Sequence, residues 1–154
     1  MNLSPHFTVA EFTASQTAAR RGIDNSLPAS LLMAAGDTAL MLEQIRDKLS
    51  RLAGRTVPII ITSGYRCPDL NTAIGSSAGS DHIRAMAADF RAPAYGTPYE
   101  IARALAPHVS ELEIGQLIHE YGGWVHVSTR RPEKQLNRII TISRRGVDVG
   151  VVPA

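Results

Sequence analysis

The 154-residue chain has little of several things that define special classes of protein. It has one cysteine, Cys67, so no internal disulfide can staple it and the fold must come from packing; the sequence reads Cys67 as a small buried residue. Its longest apolar stretches, Leu31 to Ala35 and Val57 to Ile61, are far shorter than the roughly 20 residues that span a bilayer, and no membrane insertion is expected. The N-terminus, Met1 to His6, has neither the basic flank nor the apolar run of a secretory signal, so the chain is expected to be cytoplasmic at synthesis. Lysine is nearly absent, and 16 basic residues against 14 acidic ones leave a formal charge of only +2. With no motif of stacking aromatics either, nucleic-acid binding is not expected. The pairs Arg20-Arg21, Arg130-Arg131 and Arg144-Arg145 read as solvated surface.

What is present suits one globular domain spanning 1–154, expected to be a monomer: hydrophobic residues make 44% of the chain and charged residues 19%. Thr8 and Glu11 form a capping-box pattern that opens a helix ending near Gly22. The strongest helix is expected from Pro28 to about Leu52, with apolar residues at Leu31, Leu32, Ala35, Ala39, Leu42, Ile45, Leu49 and Leu52 and a stop at Gly54. Val57 to Thr62 reads as a buried strand with Pro58 near its start, Pro68 to Ile74 as a helical turn, and Ala87 to Phe90 as a strand. Thr97-Pro98-Tyr99-Glu100 opens another helix, which should finish before Pro107. Gly115 to Tyr121 and Trp124 to Ser128 form a hairpin candidate, followed by a strand at Arg138 to Ser143. Helices first and mostly antiparallel strands after them indicate an α+β fold, with N-terminal helices packed on a small, mainly antiparallel sheet.

Two of the five histidines stand out by their company. His82 lies after a Gly/Ser-rich stretch with Asp89 seven residues on, and His126 shares one strand face with Trp124 and Ser128. Two imidazoles and a carboxylate are a natural donor set for one Zn2+ ion, with a fourth position left for water.

The words around these residues carry a resemblance. Ser63-Gly64-Tyr65-Arg66, Asn71, Ser80-Asp81-His82 through Asp89, and Trp124-Val125-His126-Val127-Ser128 occur in the order of the zinc D-alanyl-D-alanine carboxypeptidase family, peptidase family M15. Together with Leu3 to Phe12 and Arg21 to Asn25, they resemble its small single-domain members common in bacteriophages. The resemblance implies a hedgehog/D-Ala-D-Ala peptidase-like fold, zinc held by His82, Asp89 and His126, and hydrolysis of peptidoglycan stem peptides by a carboxypeptidase or endopeptidase. It also implies that Arg66 stabilises charge on the scissile carbonyl or binds a substrate carboxylate, and that Ser80 touches substrate near the metal. A phage endolysin or virion-associated lysin would meet its substrate after release through a lysis pore or as part of a particle.

Two positions depart from the family pattern. Ala85 stands where glycine is usual, a costly change if the backbone there needs positive φ. Gly123 stands three residues before His126, where many members carry the catalytic acid. Glu120 is the nearest replacement, and hairpin geometry tests it. A two-residue turn at Gly122-Gly123 pairs Glu120 with Val125 and turns it away from His126, bringing His119 to the metal-facing side instead. A three-residue loop, Tyr121 to Gly123, pairs Glu120 with Trp124 and puts it on the face of His126. The second register is preferred, with His119 as the other candidate base. The alternative to an enzyme is a catalytically inactive, zinc-stabilised binding or structural module of a phage particle.

Overall fold

The structure is a computed structural model in which residues 1–129 and 138–154 are described; the Arg130-Arg131 pair lies outside them. The chain opens with two short antiparallel strands, β1 (Asn2–Ser4) and β2 (Phe7–Thr8). Thr8 then caps helix α1 (Val9–Thr13) through the expected reciprocal box with Glu11. Where the sequence suggests one helix running to Gly22, there are two. Ala14 is extended, and the Ser15 hydroxyl accepts the Ala18 amide to start α2 (Gln16–Arg21), which Gly22 closes in the left-handed conformation. A local serine cap outcompetes helix continuation because it satisfies an amide that would otherwise lack a partner.

The long helix α3 covers Leu32–Ala53 and ends at Gly54 as expected, but Pro28 precedes a separate 3-10 turn, Ala29–Leu31. Its buried face is Ala35, Ala39, Leu42, Ile45 and Leu49, while Leu32 and Leu52 are exposed. Strand β3 (Ile60–Ser63) begins later than expected and is not buried along its length: Ile60 is exposed, whereas Val57 and Ile59 before it are buried. Proline lacks the amide a ladder needs, and β3 is an edge strand with one free side. Next come α4 (Pro68–Ala73), a 3-10 turn at Asp81–Arg84, β4 (Ala87–Arg91) and α5 (Pro98–Leu105), the last opened by the Thr97/Glu100 box. Cys67 is half-buried rather than buried, because it caps α4: its sulfur accepts the Leu70 amide at 3.5 Å.

Strands β5 (Gln116–Glu120), β6 (Trp124–Ser128), β7 (Arg138–Ser143) and β8 (Gly146–Val149) complete a six-stranded sheet of order β3-β4-β6-β5-β7-β8. All its pairings are antiparallel except β5 with β7. The fold is thus α+β. Strand β8 and the β1/β2 pair have no apolar alternation long enough to announce them. Arg144 and Arg145 form the exposed turn into β8, and Arg20 and Arg21 are exposed on α2.

Alternation divides the sheet into two faces. Ala88, Phe90, Leu117, Val125 and Val127 are buried with Leu42, Ile45, Ile101 and Leu105 of α3 and α5 in one apolar core. Each fully buried large side chain there contributes roughly 1.5–3 kcal/mol. The intervening positions Asp89, Ile118, Glu120 and His126 belong to the opposite face. Among the described residues, no helix is long and apolar enough to cross a membrane.

Candidate metal centre

Register places the site. Asp89 of β4 lies opposite His126 of β6, and His126 lies opposite Ile118 of β5, so neighbouring central strands present two polar side chains at one level. His82 comes from the 3-10 turn before β4. The Ser80 hydroxyl accepts the His82 amide at 3.3 Å to start that turn, and Ala85 ends it with φ 57°. The backbone therefore needs the left-handed conformation at the position where the sequence substitutes alanine for glycine. Ala85 is fully buried, and its carbonyl accepts the Thr38 hydroxyl at 2.8 Å, which ties the turn to α3.

Gly64 positions the other side of His82. A Cβ there would come within 2.3 Å of the Phe12 carbonyl oxygen, so only glycine allows the end of α1 to pack this closely. The Gly64 carbonyl in turn accepts a hydrogen bond from His82 Nδ1 at 2.6 Å. That bond fixes the ring's tautomer and leaves the Nε2 lone pair facing the cluster.

His82 Nε2 is 3.3 Å from both Asp89 Oδ1 and His126 Nδ1, and His126 Nδ1 is 2.8 Å from Asp89 Oδ1. Tetrahedral zinc ligands of this type sit about 3.3 Å from one another. Two of the three separations match that edge, and the third is a hydrogen bond. All three residues are buried. Burial opposes ionisation of Asp89, yet the charges and hydrogen bonds of His82 and His126 hold its carboxyl well below the usual range. Burial also pushes the His82 imidazole down, toward the neutral form a metal requires. The donor set thus fits a zinc ion in spacing and, at His82, in tautomer. At His126 burial lowers the pKa, but the Asp89 carboxylate, bonded to Nδ1, outweighs it and raises it, so metal binding there would displace the Nδ1 proton.

The hairpin takes the three-residue loop. Glu120 pairs with Trp124, and the positive φ values of Tyr121 (54°) and Gly122 (66°) turn the chain between them. Glu120 Oε1 consequently lies 3.9 Å from His126 Nδ1. Burial and the nearby Asp89 charge raise the Glu120 pKa, against the opposing pull of His126, Arg66 and Trp124. His119 is carried to the opposite face, where it packs beside the Tyr99 ring and its Nδ1 donates to the Val152 carbonyl at 2.9 Å. It does not reach the metal cluster.

Arg66 approaches from the loop after β3. Its Nη2 is 3.3 Å from Asp89 Oδ2, the carboxylate oxygen turned away from the two histidines, while Nε donates to Ser63 Oγ at 3.1 Å. Nη1 reaches Ser76 Oγ at 3.5 Å. Ser63 and Ser76 are supporting residues that sequence reasoning missed; Ser63 sits in the Ser63-Gly64-Tyr65-Arg66 word, but Ser76 has no local signal. Ser80 is half-buried at the start of the His82 turn. Trp124 is half-buried against Tyr121, and the two remaining histidines, His6 and His108, pair at the surface with Glu43 and Glu111.

The arrangement can hold one cation between two imidazoles and a carboxylate, with a second carboxylate and a guanidinium beside it. The model of one protein family, described as Peptidase M15, matches residues 5–128, a stretch that contains every one of these groups. No curated protein matches the chain.

Proposed function

The chain belongs to the peptidase M15 family, and on that premise we propose that it is a zinc peptidase that hydrolyses peptidoglycan stem peptides, as a D-Ala-D-Ala carboxypeptidase or an endopeptidase. The observation that carries this reading is the convergence of His82 Nε2, Asp89 Oδ1 and His126 Nδ1, with Glu120 alongside. Zinc, when bound by these three residues, supplies Lewis acidity that lowers the pKa of water and polarises a carbonyl. Glu120 is the general base: its Oε1 takes a proton from the attacking water and returns it to the leaving amine. Its raised pKa suits both halves of that exchange. Arg66, held by Ser63, Ser76 and Asp89, presents fixed positive charge to the scissile carbonyl or to a substrate carboxylate. Ser80, at the start of the His82 turn, contacts substrate next to the metal.

The single-domain chain is read as a phage endolysin or virion-associated lysin that works as a monomer. It is made in the cytoplasm and reaches the wall through a lysis pore or as part of a particle. The position of Glu120 favours a working peptidase over an inactive zinc-stabilised module, since the carboxylate missing at Gly123 is supplied from the other strand of the hairpin. Digestion of purified peptidoglycan followed by mass analysis of the fragments tests the reading. Release of stem-peptide fragments that stops on zinc removal is expected; intact wall with zinc bound would overturn it.

A further inference from the structure

A cavity of about 330 Å³ lies on the side of Arg66 toward the N-terminal helices. Gln16, Thr17 and Arg20 of α2 line it together with Ser63 and Arg66. Leu70 and Ile74 supply part of an apolar lining. Its size and its mixture of apolar surface with a few converging polar groups are those of a small-molecule or peptide subsite. Ser63 pairs across the sheet with Asp89, so the cavity adjoins the metal cluster.

Charge gives the cavity its chemistry. Among the described residues, two arginines line it and no aspartate or glutamate does. Arg20 is exposed and, among the described residues, has no carboxylate partner; its guanidinium approaches only the Thr17 hydroxyl, at 3.5 Å. Arg66 directs one N–H each toward Ser63, Ser76 and Asp89, which leaves donors over for a ligand. A guanidinium is built to fork onto a carboxylate.

From these observations, and resting on the peptidase reading above, we infer that the cavity is a substrate subsite for a second carboxylate of the peptide, one that is not part of the bond cut, and that Arg20 is the residue that selects it. The preferred substrate is therefore an acidic peptide with an interior carboxylate, and α2 serves as a specificity wall.

The test compares two probes: a stem pentapeptide with its interior carboxylate free, and the same peptide with that group as a carboxamide. The zinc-loaded protein should prefer the free carboxylate about threefold to fivefold in kcat/KM, the scale of an exposed charge pair. Arg20→Gln should abolish that preference by raising KM for the free-carboxylate peptide toward that of the carboxamide, with zinc content unchanged. Equal loss on both peptides, or a preference that survives Arg20→Gln, would overturn the inference. Should neither peptide be cleaved while zinc is bound, the peptidase reading fails, and calorimetric binding of the same two peptides decides the subsite separately. Tighter binding of the carboxylate form that Arg20→Gln removes would support it, and equal binding would refute it.

Discussion

Glu120 Oε1 stands 3.9 Å from His126 Nδ1 because the hairpin between them turns through three residues and not two. The side-chain period of a strand is two, so one residue fewer in the loop would exchange the faces of Glu120 and His119. Glu120→Gln keeps the shape and removes the proton acceptor. It should lower kcat about a hundredfold to ten-thousandfold while zinc content stays near one per chain. His119→Gln, on the far face, should leave kcat within about twofold and cost stability through the Val152 contact instead. Steady-state kinetics with metal analysis of both variants checks the assignment, and reversed effects would move the base to His119.

Zinc removal should separate activity from fold. The core between the sheet, α3 and α5 contains none of the three ligands, so the chelated protein is expected to stay folded and lose activity. Zinc at a hundredfold to a thousandfold above its Kd should add about 3–4 kcal/mol to stability. His126→Ala should abolish both the added stability and the activity. Thermal melts with and without chelator measure this, and a chelated protein with no folded baseline would show that the metal also builds the fold.

Helices with strong local signals were readable from sequence: the Thr8/Glu11 and Thr97/Glu100 boxes and the Gly54 stop all stand where the residues put them. So did the strands flanking the Glu120 loop, because turn geometry and alternation are local. The parallel pairing of β5 with β7 was not readable, since it joins segments whose contact no local pattern encodes. The same holds within the site. His82, Asp89 and His126 are conspicuous donors in recognisable words, whereas Ser76 reaches Arg66 across a loop and is visible only in three dimensions. Pro58 and the edge position of β3 explain why a run of β-branched residues yields a half-exposed strand.

Ala85, itself fully buried, holds a φ of 57° at the end of the turn between two of the cluster residues. A left-handed conformation costs an L-residue roughly 1–2 kcal/mol, and glycine avoids that cost while losing more entropy on folding. Ala85→Gly should therefore be neutral or stabilising by up to about 1 kcal/mol. Ala85→Val adds β-branching at positive φ and extra volume in a packed site, and should cost about 3 kcal/mol or more. Urea unfolding of the two variants should place them on opposite sides of the parent, or Gly level with it. A well-tolerated valine would mean the turn relaxes out of this conformation.

The N-terminal strands are pinned to α3 by Glu43, whose carboxylate accepts the Ser4 hydroxyl at 2.6 Å and the His6 amide at 2.8 Å, with His6 Nδ1 also at 2.8 Å. Burial of the Glu43 carboxyl alone would raise its pKa, but these bonds and the His6 charge outweigh it and hold the pKa below the usual 4.5. A carboxylate depressed in the folded state stabilises the protein fully above its unfolded pKa. That contribution fades as pH falls through about 4.5 toward the folded value. Glu43→Gln should therefore destabilise the protein by about 1–2 kcal/mol near neutral pH, and the gap between variant and parent should close as the solution is made acidic below that window. Chemical unfolding of both proteins across the acid range gives the difference directly. A gap independent of pH would mean that Glu43 acts through packing, and that the hydrogen bonds to Ser4 and His6 do not depend on its charge.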